Sequence, residues 1–279
     1  MRLAFKTAPQ HTRWEDMLEV FRAGDEIEDF ESGWTFDHFY PIVGDTEGPC
    51  LEGWVTLAAL AQATSRVRLG VLVTGIHYRH PAVLANMAAT LDIVSAGRLE
   101  LGIGAGWNVT ESGAYGIELG TPRERSDRLE EACQVLIGLL SQETTSFSGH
   151  YYTLSEARCE PKGPQRPHVP ICIGGSGERR TLKTAARFAQ HWNFVGGSVD
   201  DFAHKVAVLR NHCEDIGRDP SEILISSHIR PGPDGDPAPA VEAAARMAEH
   251  GLELAIVPLP VPHRAAMLEP IAKAFASLR

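Results

Sequence analysis

The stretch that decides the fold runs from residue 67 to residue 104: VRLGVLV (67–73), TGIHYRH (74–80), PAVLANMAATLDIV (81–94), SAG (95–97) and RLELGIG (98–104). VRLGVLV is nearly continuously apolar, as a strand covered on both faces should be. After it, a proline at a first-turn position opens a helical period and Ser-Ala-Gly closes it. A strand, a crossover helix and a second strand make one parallel βαβ unit.

The same pattern repeats on both sides. Strands are expected at residues 2–6, 34–36, 67–73, 98–104, 170–173, 192–195, 222–229 and 253–258. Helices are expected from Trp14 and over 54–63, 81–94, 123–141, 178–190, 200–216, 238–250 and 263–278; in the fourth of these, Leu129, Cys133, Leu136 and Leu140 form one apolar stripe. Eight such units in 279 residues predict an α/β fold, a (β/α)8 TIM barrel, which usually takes about 250 residues plus insertions. A doubly wound sheet is the alternative, but it would need fewer strands and a switch point. No linker divides the chain, so 1–279 reads as a single domain. The long loops 105–122 and 144–170, the second with a hairpin around Gly149, are expected as insertions at the C-terminal face.

Composition narrows the partners. Twenty-six Lys and Arg against 36 Asp and Glu leave a net charge of −10. Nucleic acid and anionic membranes are recognised through clustered cations, so neither is expected as a partner. The hydrophobic share of 43% suffices for a large core, yet no run reaches the roughly 18 apolar residues of a membrane span. Cys50, Cys133, Cys159, Cys172 and Cys213 are widely spaced and form no C-x-x-C pair. With no leader-like apolar run at the start, a reducing, cytoplasmic setting is expected. No H-E-x-x-H or cysteine pair suggests a metal site.

In such barrels reactive groups sit on the loops after the strands' carboxyl ends. That points to Asp37-His38 after the second strand, Thr74-Gly75-Ile76-His77-Tyr78 after the third, and Gly104-Ala105-Gly106-Trp107-Asn108 after the fourth. After the fifth come Gly174-Gly175-Ser176-Gly177, and after the sixth Gly196-Gly197-Ser198. Gly174–Gly177 reads either as a phosphate loop before a helix N-terminus or as a plain strand-to-helix turn capped by Ser176. The glycines at 102, 104 and 106 do not place the third glycine at the spacing of a dinucleotide fingerprint, and no helix follows immediately. They suggest instead a bare rim against which a flat ring lies, with Trp107 as a wall. Asp37 and His38 are candidate catalytic residues, the carboxylate fixing the imidazole's tautomer. Adjacent strand residues point to opposite sides, however, so one of the two can be purely structural.

Read in order, TFDHF (35–39), VRLGVLVTGIHYRHPAVLANMAATLD (67–92), GRLELGIGAGWN (97–108), AYGI (114–117) and PICIGGSGERRTLKTAARFAQHWN (170–193) resemble the bacterial luciferase-like monooxygenase superfamily, in its coenzyme F420-dependent oxidoreductase branch. The resemblance covers about residues 1–200. It implies a TIM barrel binding F420, or alternatively FMN, at its carboxyl end, and a non-prolyl cis peptide that maps to Gly75-Ile76. It also implies that Gly175, Ser176 and Gly177 contact the cofactor phosphate and that Trp107 and Asn108 lie beside the ring. Thr74, Gly75, Ile76, Gly106 and Gly174 complete the expected cofactor site, and His38 with Asp37 the expected catalytic pair. Val109 and Ser112 depart from relatives that carry Glu and His there. The implied activity is hydride transfer between F420 and a small organic substrate by a homodimer. The alternatives are an FMNH2-dependent monooxygenase served by a separate flavin reductase, and a flavin-binding protein without turnover.

Overall fold

Apolar strand runs alternate with amphipathic helices along the whole chain, and the computed structural model, which describes residues 1–278, closes them into a ring. The first half contains β1 (Arg2–Lys6), α1 (Trp14–Glu26), β2 (Phe30–Thr35), α2 (Gly53–Ala63), β3 (Arg68–Val71), β4 (Thr74–Gly75), α3 (Pro81–Val94), β5 (Leu99–Gly104), α4 (Val109–Ala114) and α5 (Pro122–Ser141). A hairpin of β6 (Thr145–Ser148) and β7 (Thr153–Ala157) follows, turning at Gly149 as expected. The rest is β8 (Ile171–Gly174), α6 (Thr181–Phe188), β9 (His191–Phe194), α7 (Val199–Asp215), β10 (Leu224–His228), α8 (Ala238–Ala248), β11 (Leu254–Pro258) and α9 (Leu268–Phe275).

All barrel pairings are parallel, and β11 pairs back onto β1 with Leu3 opposite Ala255. β3 and β4 are one barrel position interrupted at residues 72–73, so the cylinder has eight staves: a TIM barrel. None of the described helices is long and apolar enough to cross a membrane.

The second strand begins at Phe30, four residues before the expected start. Glu31, Ser32 and Gly33 hide it from a hydrophobicity reading, yet Gly33 is where Phe5 and Phe21 close in: a Cβ there would lie 2.6 Å from Phe5 Cζ. Phe5 meets Phe21 and Phe30 edge-on at 5.0 and 5.4 Å between centroids. Each fully buried aromatic contributes roughly 1.5–3 kcal/mol of burial.

Inside the barrel, Ala4, Trp34, Leu72, Cys172, Leu254 and Ile256 pack together. Near the amino-terminal end, Arg68 Nε donates to Glu100 at 2.7 Å. His191 sits between Glu100 (3.2 Å) and Ser226 Oγ (2.6 Å). Burial alone would raise the Glu100 carboxyl, but His191 and Arg68 outweigh it and hold it at about 2. This chain lies at the face that in TIM barrels serves stability.

The non-prolyl cis bond is Leu72–Val73, and the expectation for Gly75-Ile76 is corrected. Thr74 and Gly75 pair in register with Ile103 and Gly104, and Ile76 N–H donates to Gly104 O at 3.0 Å, so 75–76 continues the ordinary ladder. The break at 72–73 explains neighbouring glycines. A Cβ on Gly102 would lie 1.9 Å from Val71 O, and one on Gly104 or Gly174 would lie 2.7 or 2.8 Å from the Val73 side chain. These three make room for the protein's own bulge, a use that the reading of a bare rim did not foresee.

Candidate active site

A cavity of about 290 Å³ opens at the carboxyl ends of the strands. β1 ends in Lys6, and the loop after β2 brings Phe36, His38 and Ile42. Leu72, Val73, Gly75 and Tyr78 come from the third barrel position, Gly104 to Trp107 from the end of β5 and its loop, and Gly174, Gly175 and Thr181 from the β8–α6 connection. Asn193 and Val195, at and just beyond the end of β9, and His228, the last residue of β10, complete the wall.

Asp37 and His38 point apart, as neighbours in extended chain do. The fully buried Asp37 carboxylate takes both Arg79 Nη groups, one of them at 3.1 Å, and is absent from the cavity wall. His38 does face the cavity. Its Nδ1 lies 3.2 and 3.3 Å from the two oxygens of Glu111, so the expected Asp37–His38 pairing is corrected to Glu111–His38.

Glu111 is fully buried on α4, a short helix inside the loop read as irregular. Asn108 caps that helix, accepting from Glu111 N–H at 3.2 Å. Asn-x-x-Glu is a helix-start signature, but here the glutamate turns from the cap toward His38. Its carboxylate also accepts from Tyr78 Oη, from Phe39 N–H (3.2 Å) and from Asn108 Nδ2 (3.4 Å). Burial acts to raise this carboxyl, and the bonds from His38, Tyr78 and Phe39 outweigh it, leaving it below the ordinary carboxylate range. The Tyr78 phenol is pushed up by burial and by Glu111.

An ionised Glu111 can only accept, so His38 Nδ1 carries the hydrogen, and in the neutral ring the lone pair is on Nε2. Nε2 has no partner among the described residues. The ring is held edge-on by Phe36 (5.2 Å) and Trp107 (5.5 Å). Trp107 lines the cavity and is 58% exposed.

Among the described residues that line this cavity, Lys6 is the one lysine or arginine. Its Nζ donates to Leu72 O at 3.0 Å and lies 3.3 Å from His228 Nε2, while His228 Nδ1 reaches Val195 O at 3.3 Å. The carbonyl fixes the His228 hydrogen on Nδ1, so Nε2 accepts from Lys6. Two of three ammonium donors are thereby used. Enclosure, helped by Arg230, lowers Lys6 to about 8, and burial holds His228 well below its usual range. Asn193 gives its amide N–H to Ser226 at 2.9 Å, whereas its buried Oδ1 finds no partner among the described residues.

Of the expected cofactor residues, Gly75, Gly106, Trp107, Gly174 and Gly175 line the cavity. Thr74 turns away and accepts from Trp54 Nε1 at 2.8 Å, Ile76 belongs to the outer core, and Asn108 serves as the cap. Ser176 and Gly177 follow Gly175 outside the wall. Ser176 caps nothing, because α6 starts only at Thr181 with Arg180 as an N-cap that makes no side-chain bond. His77 packs under Gly106, bonds Ser112 Oγ at 3.1 Å and is lowered to about 4 by burial.

Lys6, Glu111, Asn193 and His228 escaped the sequence reading. Lys6 and His228 were visible as polar residues closing apolar strand runs, and Glu111 as the fourth residue of Asn-x-x-Glu.

Comparison with known proteins gives the context. The family model described as luciferase-like monooxygenase matches residues 2–276. An F420-dependent glucose-6-phosphate dehydrogenase of Kineococcus radiotolerans is 35% identical over 229 residues, covering 81% of this chain and 66% of that protein. An F420-dependent hydroxymycolic acid dehydrogenase of Mycobacterium tuberculosis is 34% identical over 209 residues, covering 75% and 56%. Among solved structures, an F420-dependent secondary alcohol dehydrogenase in complex with an F420-acetone adduct superimposes over 100% of both chains with a TM-score of 0.88 at 21% identity, a likeness of fold. With a barrel of this topology and a family match along nearly its whole length, the chain belongs to the luciferase-like monooxygenase family.

Proposed function

We propose that this protein is an oxidoreductase that binds coenzyme F420 and transfers a hydride between it and a small, uncharged organic substrate, an alcohol or its ketone. The observation that carries this reading is His38, facing the cavity with a free Nε2 and backed by a buried carboxylate. The F420-dependent relatives support the choice of cofactor.

The residues present fit a flat heterocycle with a phosphate-bearing side arm. Gly75, Gly106, Gly174 and Gly175 present backbone without side chains. The orphaned Asn193 Oδ1 and the third Lys6 donor suit a ring edge that both donates and accepts. Ser176 and Gly177 lead to the start of α6, which no side chain caps; Leu182 N–H there already donates to Gly177 O (3.0 Å), and the helix's N-terminal end favours a phosphate. When bound, F420 supplies the ring carbon that accepts or delivers the hydride.

His38 Nε2 takes the hydroxyl proton as an alcohol is oxidised and returns it in the reverse direction. Glu111 holds the tautomer and stabilises the imidazolium. Phe36, Ile42 and Trp107 limit water around the reacting carbon. Arg79 is committed to Asp37, with Glu52 at 3.6 Å, so it offers no site for a substrate anion.

The protein is further proposed to work as a homodimer through α2 and α3, whose outer faces expose Val55, Val83, Ile93 and Val94. The test of the cofactor is a fluorescence titration of the purified protein with F420 and FMN side by side. F420 binding is expected, and binding of FMN alone, or of neither, overturns the reading. With F420 bound, His38→Gln should keep cofactor affinity and lose turnover on a panel of secondary alcohols by about 100-fold or more.

A further inference from the structure

Glu100 on β5, His191 on β9 and Ser226 on β10 are buried polar side chains for which the reaction above has no use, yet their hydrogen bonds end at the active-site cavity. Asn193 is the last link. It stands opposite Ser226 in the β9–β10 ladder and lines the cavity.

Counting hydrogens along this chain fixes the Asn193 amide. Glu100 is held ionised by His191 and Arg68, so it can only accept. His191 Nδ1, 3.2 Å from Glu100 Oε2, therefore carries a hydrogen, and in the neutral ring Nε2 accepts from Ser226 Oγ at 2.6 Å. The other acceptor within reach of that hydroxyl, Trp192 O, is 3.5 Å away. With its hydrogen spent on His191, Ser226 Oγ can only accept, so the amide turns Nδ2 to it at 2.9 Å and Oδ1 away from the chain. Trp34 packs edge-on against the His191 ring at 5.7 Å between centroids. Asn193 is 1% exposed, and its Oδ1 has no partner among the described residues. A buried acceptor left unpaired is costly unless a ligand brings the missing donor.

We infer that Asn193 Oδ1 receives the imide N–H of the F420 ring, and that Glu100, His191 and Ser226 are positioning residues that keep the acceptor end of the amide toward the cavity. The inference rests on the F420 reading above and deepens it. The pyrimidine edge of that ring runs carbonyl, N–H, carbonyl, so its one donor needs one acceptor. Lys6 in the same cavity has a donor left for a carbonyl. The other free acceptor, His38 Nε2, is assigned to the substrate hydroxyl. A reversed amide would set donor against donor, so the chain across the barrel protects recognition as well as stability.

The test compares F420 with the same cofactor methylated at the imide nitrogen, by quenching of deazaflavin fluorescence. The wild type should bind the methylated ring about 10- to 100-fold more weakly. Asn193→Ala removes the acceptor and makes room for the methyl group, and it should bind both rings alike. Ser226→Ala leaves the space around the ring unchanged but releases the amide, and it should cut the preference to about threefold or less. A merely structural Ser226 would weaken both rings equally and leave the preference as it was. Nitrogen-15 NMR of the ligand-free wild type should find the neutral His191 hydrogen on Nδ1. Equal affinities in the wild type, a preference that survives either substitution, or a His191 hydrogen on Nε2 overturns the inference while leaving the cofactor reading intact. Failure of the wild type to bind either ring overturns both.

Discussion

At the scale of single residues, Glu111 is a positioning residue that acts through His38. Glu111→Gln keeps size and burial but removes the charge that fixes the His38 tautomer. Turnover should fall by about 10- to 100-fold with little change in F420 affinity, and the pH–rate profile should shift. Unchanged turnover and profile would show that the carboxylate is merely structural. Lys6 couples folding to pH. Its pKa is lowered to about 8 in the fold, so between about pH 8 and 10.5 the unfolded chain holds more protons and stability rises with pH. Lys6→Met should remove that rise and stabilise the protein at neutral pH by on the order of 2 kcal/mol, read from urea midpoints at pH 7 and pH 10. Sequence could single out His38 because chemistry collects at strand ends. It could not tell which of Asp37 and His38 faces inward, nor that an acid 73 residues further on closes on the imidazole.

At the scale of elements, the legible parts were those whose period is long enough to measure. β1 and α3 match their expected bounds, and the hairpin at Gly149 falls where alternation and glycine placed it. α4 has six residues, too few for a helical period to register, and it carries Glu111. β2 reads as polar because its glycine serves Phe5 and Phe21. The third barrel strand looked continuous because its break lies within an apolar run. Two glycines separate close approach from idle space. Gly102→Ala puts a methyl group against Val71 O and should cost about 2–3 kcal/mol in urea unfolding. Gly113→Ala, on α4 with nothing within 4 Å, should instead stabilise by about 0.5–1 kcal/mol.

At the scale of the whole molecule, the eight-unit count was readable from the chain, because each strand must alternate with a helix for the sheet to close. The association of copies was readable only as a resemblance. α2 and α3 offer apolar residues on their outer faces, with Val55 72% exposed, and a groove lined by Trp54, Val55, Ala58, Met87, Leu91 and Val94. A second copy seated there predicts a dimer in sedimentation velocity, and Val55→Asp with Val94→Asp should yield monomer. A monomeric wild type would remove the proposal.

The packed interior of the barrel has a consequence for traffic. Trp34, Leu254 and Ile256, with the Arg68–Glu100–His191 chain beyond them, pack the barrel axis beneath the cavity, so among the described residues its floor is filled by side chains. Two ligands sharing a dead-end chamber queue: the deeper one must enter first, and the shallower must leave before the deeper is exchanged. A ring settled against Gly104 and Gly174 would therefore stay through many turnovers or depart last, and the order of events becomes a property of the plugged cylinder rather than of any residue that touches the substrate.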